Sequence, residues 1–171
     1  TLPYLGKLSA DGTGGDTIRL AYDCCDNSTL VLPAKTLTID GKNHTVQEKT
    51  WRNLNVPNGN YGYGANGDTG YLLIGSGAKV TLKNITFDGR AADTGAYLDM
   101  RLVRVNYGGE LTIGDNTTFR SVYYHSTGIL HIGAPTGGKI VVDGENVVFE
   151  DLRSWDNDGV NTNKFGVVFR T

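Results

Sequence analysis

The stretch GELTIGDNTTFR, residues 109–120, decides the fold of this chain. Leu111 and Ile113 flank a threonine, a polar patch follows, and Phe119 is the next large apolar side chain. Alternating apolar and polar residues are typical of a β-strand with one buried face, and they exclude an amphipathic helix here. The stretch therefore predicts a strand, a polar turn and a second short strand.

The same pattern recurs along the chain, in TLTIDGKNHTV (36–46), KVTLKNITF (79–87) and KIVVDGENVVF (139–149). The leading apolar residues are separated by 43, 31 and 29 positions; they are Leu37, Val80, Leu111 and Ile140. A second set of short apolar segments precedes three of these units and begins again near the end of the chain. Its members are YLLIGSGA (71–78), LVRVNYGG (102–109), ILHIGAPTGG (129–138) and FGVVFR (165–170).

Recurrence of one turn chemistry at one place in successive units predicts an all-β solenoid in which each unit is one rung. Equivalent residues then stack at about 4.8 Å, so the four leading apolar residues should lie above one another in a dry interior. Glycines at the corners should adopt positive φ angles, which cost glycine little. These glycines are Gly75, Gly77, Gly108, Gly109, Gly137 and Gly138.

Residues 15–46, GDTIRLAYDCCDNSTLVLPAKTLTIDGKNHTV, resemble the first rungs of secreted proteins of the pectate-lyase-like superfamily, and GSGAKVTLKNITFDG (75–89) is similar to the rungs that follow. This resemblance implies a right-handed parallel β-helix, of about four to six rungs on the repeat count. The YGGELTI…TTF unit is also similar to surface repeats of polymorphic membrane proteins and bacterial adhesins. Those repeats carry an Asn three residues after the Phe, where this chain has Arg90, Val122 and Leu152.

We expect one β-helix domain over residues 1–171, with long polar loops between its rungs. Residues 1–46 would form the N-terminal rungs, 47–70 a long loop, 71–152 the regular rungs, and 153–171 a loop and a C-terminal strand.

Composition excludes several classes of protein. The net charge is −2, from 16 basic and 18 acidic residues that form no run, so the basic surface that nucleic acid requires is absent from the sequence. No apolar stretch approaches the roughly 20 residues that cross a bilayer. The chain begins with Thr1, as both a processed secreted protein and an excised segment would. The resemblance to secreted β-helices implies a secreted or cell-surface protein.

Two further features leave alternatives open. Cys24 and Cys25 are adjacent, which favours two thiols on opposite faces of a strand over a strained vicinal disulfide. Asn27, Asn43, Asn84 and Asn116 each begin an Asn-x-Ser/Thr triplet that permits glycosylation in a secreted protein, although an Asn- and Thr-rich chain produces such triplets by chance.

Catalytic chemistry is weakly indicated. If the chain were a polysaccharide lyase, the resemblance implies an arginine base beside acidic residues that hold Ca²⁺. The candidates are Asp40, Asp88, Asp115 and Asp143, with Arg120 and Arg153. The simpler interpretation is that these aspartates bond their own turns, so we expect no cofactor, with Ca²⁺ as the alternative. A glycoside hydrolase would use paired carboxylates such as Asp156 and Asp158, with Asp151 nearby.

Aromatic residues in polar surroundings give the best binding hypothesis, because sugar rings stack on aromatic faces while their hydroxyls bond polar neighbours. Trp155 is the strongest candidate; the full set is Trp51, Tyr123, Tyr124, Trp155, Asp156 and Asp158. The competing interpretation is that these rings cover the side or the end of the solenoid.

The sequence thus favours a non-catalytic structural or adhesin-like module that presents loops to carbohydrate, or to another ligand on a host or neighbouring surface. One alternative is an enzyme acting on acidic polysaccharide. Another is a filament subunit, because solenoid ends leave strands unpaired, and a strand-like FGVVFRT (165–171) at the C-terminus favours truncation or pairing between chains.

Overall fold

The computed structural model describes residues 15–25, 30–47, 72–90, 103–121, 123–125, 130–132, 137–155 and 169–170. These residues form an all-β structure, and none of them is helical. The strands are β1 (Asp16–Arg19), β2 (Cys24–Cys25), β3 (Leu30–Leu32), β4 (Thr36–Gln47), β5 (Leu72–Ile74), β6 (Lys79–Asp88), β7 (Val103–Val105), β8 (Glu110–Ile113), β9 (Thr117–Arg120), β10 (Tyr123–His125), β11 (Leu130–Ile132), β12 (Lys139–Val142), β13 (Val148–Glu150), β14 (Arg153–Trp155) and β15 (Phe169–Arg170).

The strands belong to three sheets, and the strand pairs of each are parallel. The large sheet has eight strands, with the order β1-β4-β6-β8-β12 and with β2, β9 and β13 beside this path. The second sheet has the order β15-β11-β7-β5-β3, and β10 pairs with β14 in the third. Successive units of the sequence therefore contribute successive neighbouring strands to the same sheets.

The register of the large sheet confirms the stacking predicted for the leading apolar residues. Leu37 lies beside Val80, Val80 beside Leu111, and Leu111 beside Ile140. The first three are buried, and Ile140 packs against the same core while remaining partly exposed. Like residues in a row bury apolar surface against each other at every step, which contributes roughly 25 cal/mol per Å² removed from water.

A column of phenylalanines runs parallel to this row. The rings of Phe87 and Phe119 stack with centroids 5.3 Å apart, and those of Phe119 and Phe149 with centroids 5.4 Å apart. The interplanar angles are 8° and 7°. Phe119 is thus the inward anchor predicted from the opening stretch, and each ring pair adds about 0.5–1.5 kcal/mol beyond the burial of its surface.

The five-stranded sheet contributes further core residues, with Leu72, Ile74, Val103 and Val105 at most 1% exposed. Four of its five strands come from the second set of predicted apolar segments; they are β5, β7, β11 and β15. FGVVFR supplies β15, in which Phe169 lies beside Leu130.

Corner glycines follow the prediction in part. Gly77, Gly108 and Gly137 have positive φ angles of 79°, 73° and 134°, whereas Gly75 and Gly109 do not adopt that conformation. Gly109 is required for another reason, because a Cβ atom there would lie 2.7 Å from the carbonyl oxygen of Ile74.

Cys24 is buried in strand β2. Its Sγ donates to the carbonyl oxygen of Tyr22 at 3.4 Å.

Candidate functional site

Val46 lies in register with the phenylalanine column, and the four residues together form the apolar column. In each of the four strands of the large sheet that carry this column, the strand ends with the polar residue that follows it, at the corner that leads to the third sheet. The parallel register places these residues side by side. We call this set, which comprises Gln47, Asp88, Arg120 and Glu150, the charged row. Its charges alternate in sign from Asp88 to Glu150, which favours this register over any shifted one.

Asp88 is the centre of the charged row, and its side chain is only 1% exposed. Its Oδ1 accepts hydrogen bonds from the backbone N of Arg90 at 3.0 Å and from Arg90 Nε at 3.2 Å. Its Oδ2 accepts from Arg90 Nη2 at 3.1 Å and from Arg120 Nε at 3.0 Å. One buried carboxylate thus holds two guanidinium groups, of which a substantial part remains exposed to solvent.

The protonation state of Asp88 follows from two opposing effects. Burial alone would raise its pKa, but the hydrogen bonds from Arg90 and Arg120 more than offset this, so the pKa lies below the ordinary value for aspartate. Asp88 is therefore ionised at neutral pH. Asp88 thus holds two arginine cations at the surface. This arrangement differs from that of an arginine that acts as a catalytic base.

The two-stranded sheet lies directly beyond this corner. Ser121 and Asp151 turn the chain with positive φ angles of 54° and 49°. Strands β10 and β14 then run in parallel, with Tyr123 beside Arg153, Tyr124 beside Ser154 and His125 beside Trp155.

This pairing brings three of the predicted binding residues together. Tyr123 and Tyr124 lie on one strand of the pair, and Trp155 lies on the other, opposite the neighbouring His125. Arg153–Trp155 was expected to begin a loop, but these residues form a strand because they pair with β10. Asp156, Asp158 and Trp51 lie outside the described residues.

The aspartates considered for Ca²⁺ binding occupy different corners, although the sequence pattern made them look equivalent. Asp40 lies beside Lys83, whereas Asp88 lies beside Gln47. Asp40 Oδ1 accepts from the backbone N of Lys42 at 3.1 Å, which is the turn role predicted by the simpler interpretation. Asp115 instead bonds the next unit, where its Oδ1 accepts from Glu145 N at 2.8 Å. Within the described part of the chain, no three acidic, His or Cys side chains form a group suited to a metal.

A ladder of asparagines at the other corner was not predicted. Asn84, Asn116 and Asn146 have positive φ angles of 49°, 52° and 57°. Asn146 Nδ2 donates to Asn116 Oδ1 at 3.2 Å, Asn116 Nδ2 to Asn84 Oδ1 at 3.0 Å, and Asn84 Nδ2 to Asp40 Oδ1 at 3.1 Å. We call these three residues the asparagine ladder.

The asparagine ladder ends at Asp40, and its last hydrogen bond affects the pKa of that carboxyl group. Burial would raise the pKa of Asp40, but the hydrogen bond from Asn84, the backbone N–H of Lys42 and the charges of Lys42 and Lys83 together lower it. Two members of the ladder begin glycosylation triplets, so a glycan on Asn84 or Asn116 would modify the nitrogen that the ladder uses as a donor.

Comparisons with known proteins found no matching family model, no matching curated protein and no matching solved structure. Among the residues that the structure describes, there is also no helix with the length and hydrophobicity needed to cross a membrane.

Proposed function

We propose that this chain is a right-handed parallel β-helix that acts as a non-catalytic, secreted or cell-surface module and binds carbohydrate beside the paired strands β10 and β14. The parallel order of the sheets supports the coil, since each unit supplies a neighbouring strand to the same sheet. Nearly all crossover connections between parallel strands are right-handed, which supports the hand.

The observation that carries the binding proposal is the pairing of β10 with β14, which brings Tyr123 and Tyr124 next to the strand that contains Trp155. Sugars are recognised by aromatic faces beside a few fixed hydrogen-bonding groups. Arg90 and Arg120 supply such groups at the adjacent corner, because Asp88 orients their partly exposed guanidinium groups. Acidic glycans would use these cations best.

A glycan-array screen tests the proposal with Trp155→Ala, Trp155→Phe and Tyr107→Ala. Tyr107 is 61% exposed in the turn between β7 and β8 and serves as a matched aromatic control. We expect binding to be lost in Trp155→Ala and retained in the other two variants. Unchanged binding by Trp155→Ala would remove the site, and a wild-type chain that binds no glycan would remove carbohydrate as the ligand.

A depolymerisation assay on pectin-like polysaccharide, with and without added Ca²⁺, tests the non-catalytic part separately. Neither the paired arginines nor the dispersed aspartates of the described residues offer an acid and a base across a substrate. We therefore expect no chain cleavage, and release of shortened or unsaturated products would show the chain to be an enzyme.

A further inference from the structure

Arg120 is the last residue of β9, and one hydrogen bond fixes its guanidinium group at the surface. Its Nε donates to Oδ2 of Asp88 at 3.0 Å, and the Asp88 side chain is only 1% exposed, so protein encloses the accepting carboxylate. The Arg120 side chain is itself 38% exposed. The bond uses one of the five N–H donors of a guanidinium group. Within the described part of the chain, Nη1 and Nη2 of Arg120 have no hydrogen-bond partner.

The charges around Asp88 are unequal. One carboxylate accepts hydrogen bonds from the two guanidinium groups of Arg90 and Arg120, so this group of three carries one positive charge in excess. The Arg90 guanidinium binds both oxygens of Asp88, whereas that of Arg120 binds only one. Arg120 is therefore the less neutralised of the two cations, and a further anion beside it is favoured.

Glu150 is the acidic residue best placed to neutralise Arg120, but the two do not form an ion pair. Glu150 lies beside Arg120 in the register of β9 and β13, and it is exposed. Among the described residues, the ion pair of Arg120 is instead with Asp88, on the neighbouring strand at its other side. Because its Nε is bound on that side, the guanidinium group is drawn away from Glu150 and remains available to a ligand.

We propose that the Nη1 and Nη2 groups of Arg120 bind an oxyanion, which is a carboxylate, sulfate or phosphate group, and that Asp88 is the positioning residue of this site. A guanidinium group offers two N–H donors in one plane to two oxygens of such an anion, which is the geometry in which arginine binds anions most strongly. Because Asp88 already fixes Nε, less side-chain freedom remains to be lost when the anion binds.

Arg120 also lies close to the proposed carbohydrate site, and this part of the inference rests on the proposed function. Arg120 stands three residues before Tyr123, so their Cα atoms are at most about 11 Å apart. A glycan of a few sugar units can therefore place one ring beside β10 and β14 and an anionic substituent at Arg120.

An NMR titration of the 171-residue chain with sodium sulfate, phosphate and acetate, at constant ionic strength, tests the anion site without any glycan. We expect saturable changes in the chemical shift of the Ser121 amide. Arg120→Lys should raise the dissociation constant about tenfold, because lysine keeps the charge but lacks the planar pair of donors.

Arg19→Lys is the matched control for this titration. Arg19 is an exposed arginine that also ends a strand beside an aspartate, Asp40, but its guanidinium group does not bind that carboxylate. We expect anion binding by Arg19→Lys to equal that of wild type. Shift changes that do not saturate, or that Arg19→Lys reduces as much as Arg120→Lys, would overturn the proposal.

Asp88→Asn separates the positioning of Arg120 from its charge. The substitution removes a negative charge beside Arg120, so Coulomb attraction alone would make anion binding tighter. If Asp88 positions the guanidinium group, its loss should instead weaken anion binding about threefold or more. Circular dichroism verifies that the variant is folded. Tighter binding by folded Asp88→Asn would overturn the positioning role, and Arg120→Lys tests the anion site independently of it.

Pairs of glycans that differ only in one sulfate or carboxylate group distinguish an oxyanion carried by a glycan from a free anion. We expect wild type to prefer the charged member, Arg120→Lys to lose this preference, and Trp155→Ala to lose binding of both members. A wild-type chain that binds no glycan would contradict the proposed function, while the titration with inorganic anions still decides the site at Arg120. Equal binding of both members by wild type would exclude a glycan as the source of the oxyanion.

Discussion

Asn84, Asn116 and Asn146 illustrate how single residues determine this structure. Each adopts a left-handed conformation that most side chains avoid, and each exchanges side-chain hydrogen bonds with its neighbours in the stack. Asparagine combines the two properties, since it tolerates positive φ and its amide both donates and accepts. Glycine would satisfy only the first requirement, and glutamine only the second.

Substitutions of Asn116 should separate these two contributions. We expect Asn116→Gly to lower the free energy of unfolding by about 1 kcal/mol, because it loses the ladder bonds but keeps the backbone conformation. Asn116→Ala should cost about 2 kcal/mol, because alanine adds the strain of the left-handed region. Urea denaturation measures both values, and equal losses would show that the backbone conformation contributes nothing.

Asp88 should make stability depend on pH. Its pKa is lower in the folded state than in the unfolded chain, where aspartate has a pKa near 3.9. The stabilisation is therefore fully present above about pH 4 and is lost as the pH falls through the folded-state pKa. Asp88→Asn should be clearly less stable than wild type at pH 7, and the difference should shrink below about pH 4.

Urea denaturation between pH 3 and pH 7 tests this expectation for Asp88. The control is Asp143→Asn, which removes the same charge from an exposed position. A difference between wild type and Asp88→Asn that stays constant over this range would show that the ion pairs with Arg90 and Arg120 do not stabilise the fold.

At the scale of elements, the sequence predicted the strands with alternating aliphatic residues, such as β6, β8 and β12, because period-two burial leaves a direct pattern. It did not reveal β10 and β14, because Tyr123–His125 and Arg153–Trp155 lack that alternation and are strands only through pairing with each other. The candidate site was likewise predicted only in part. Aromatic composition indicated Tyr123, Tyr124 and Trp155, but nothing local in the chain indicated that Asp88 would bind two arginines.

The sequence does contain a signal for the asparagine ladder, but the signal is hidden when the repeat units are aligned on their leading apolar residues. In each unit an asparagine stands three residues before the apolar column, at Asn43, Asn84, Asn116 and Asn146. The number of residues between the leading apolar residue and this asparagine varies, so only alignment on Phe87, Phe119 and Phe149 brings the asparagines into one column. The structure has the same alignment, because it places the phenylalanines in register. Where β4 pairs with β6, the register shifts between Asp40 and His44, which lie before the apolar column.

The phenylalanine column should be the most sensitive element of the core. Phe119 stacks on a ring on either side and is fully buried, so Phe119→Ala should cost about 3–5 kcal/mol of unfolding free energy. Phe149 is only partly buried, so Phe149→Ala should cost roughly half as much. Chemical denaturation compares the two, with Phe119→Leu as the variant that keeps volume but removes stacking. Equal losses for Phe119→Ala and Phe149→Ala would contradict the positional effect.

Within the described sheets, each unit of the sequence supplies a strand that pairs with strands of the neighbouring units. Such arrays derive their stability from the interfaces between adjacent units, so a central unit is held on two sides and an end unit on one. The large sheet has this arrangement, with β6 paired to β4 on one side and to β8 and β9 on the other, and with β1 and β12 at the ends of the main path.

Hydrogen exchange should display this gradient residue by residue. We expect the slowest amides in β6 and β8 and faster exchange in β1. Within β12, the backbone N–H groups of Lys139 and Asp143 donate to β8, so that of Val141 should also point to β8 and exchange slowly. Those of Ile140 and Val142 point away from β8 and should exchange more quickly. Equal exchange rates for these three amides would contradict the expectation.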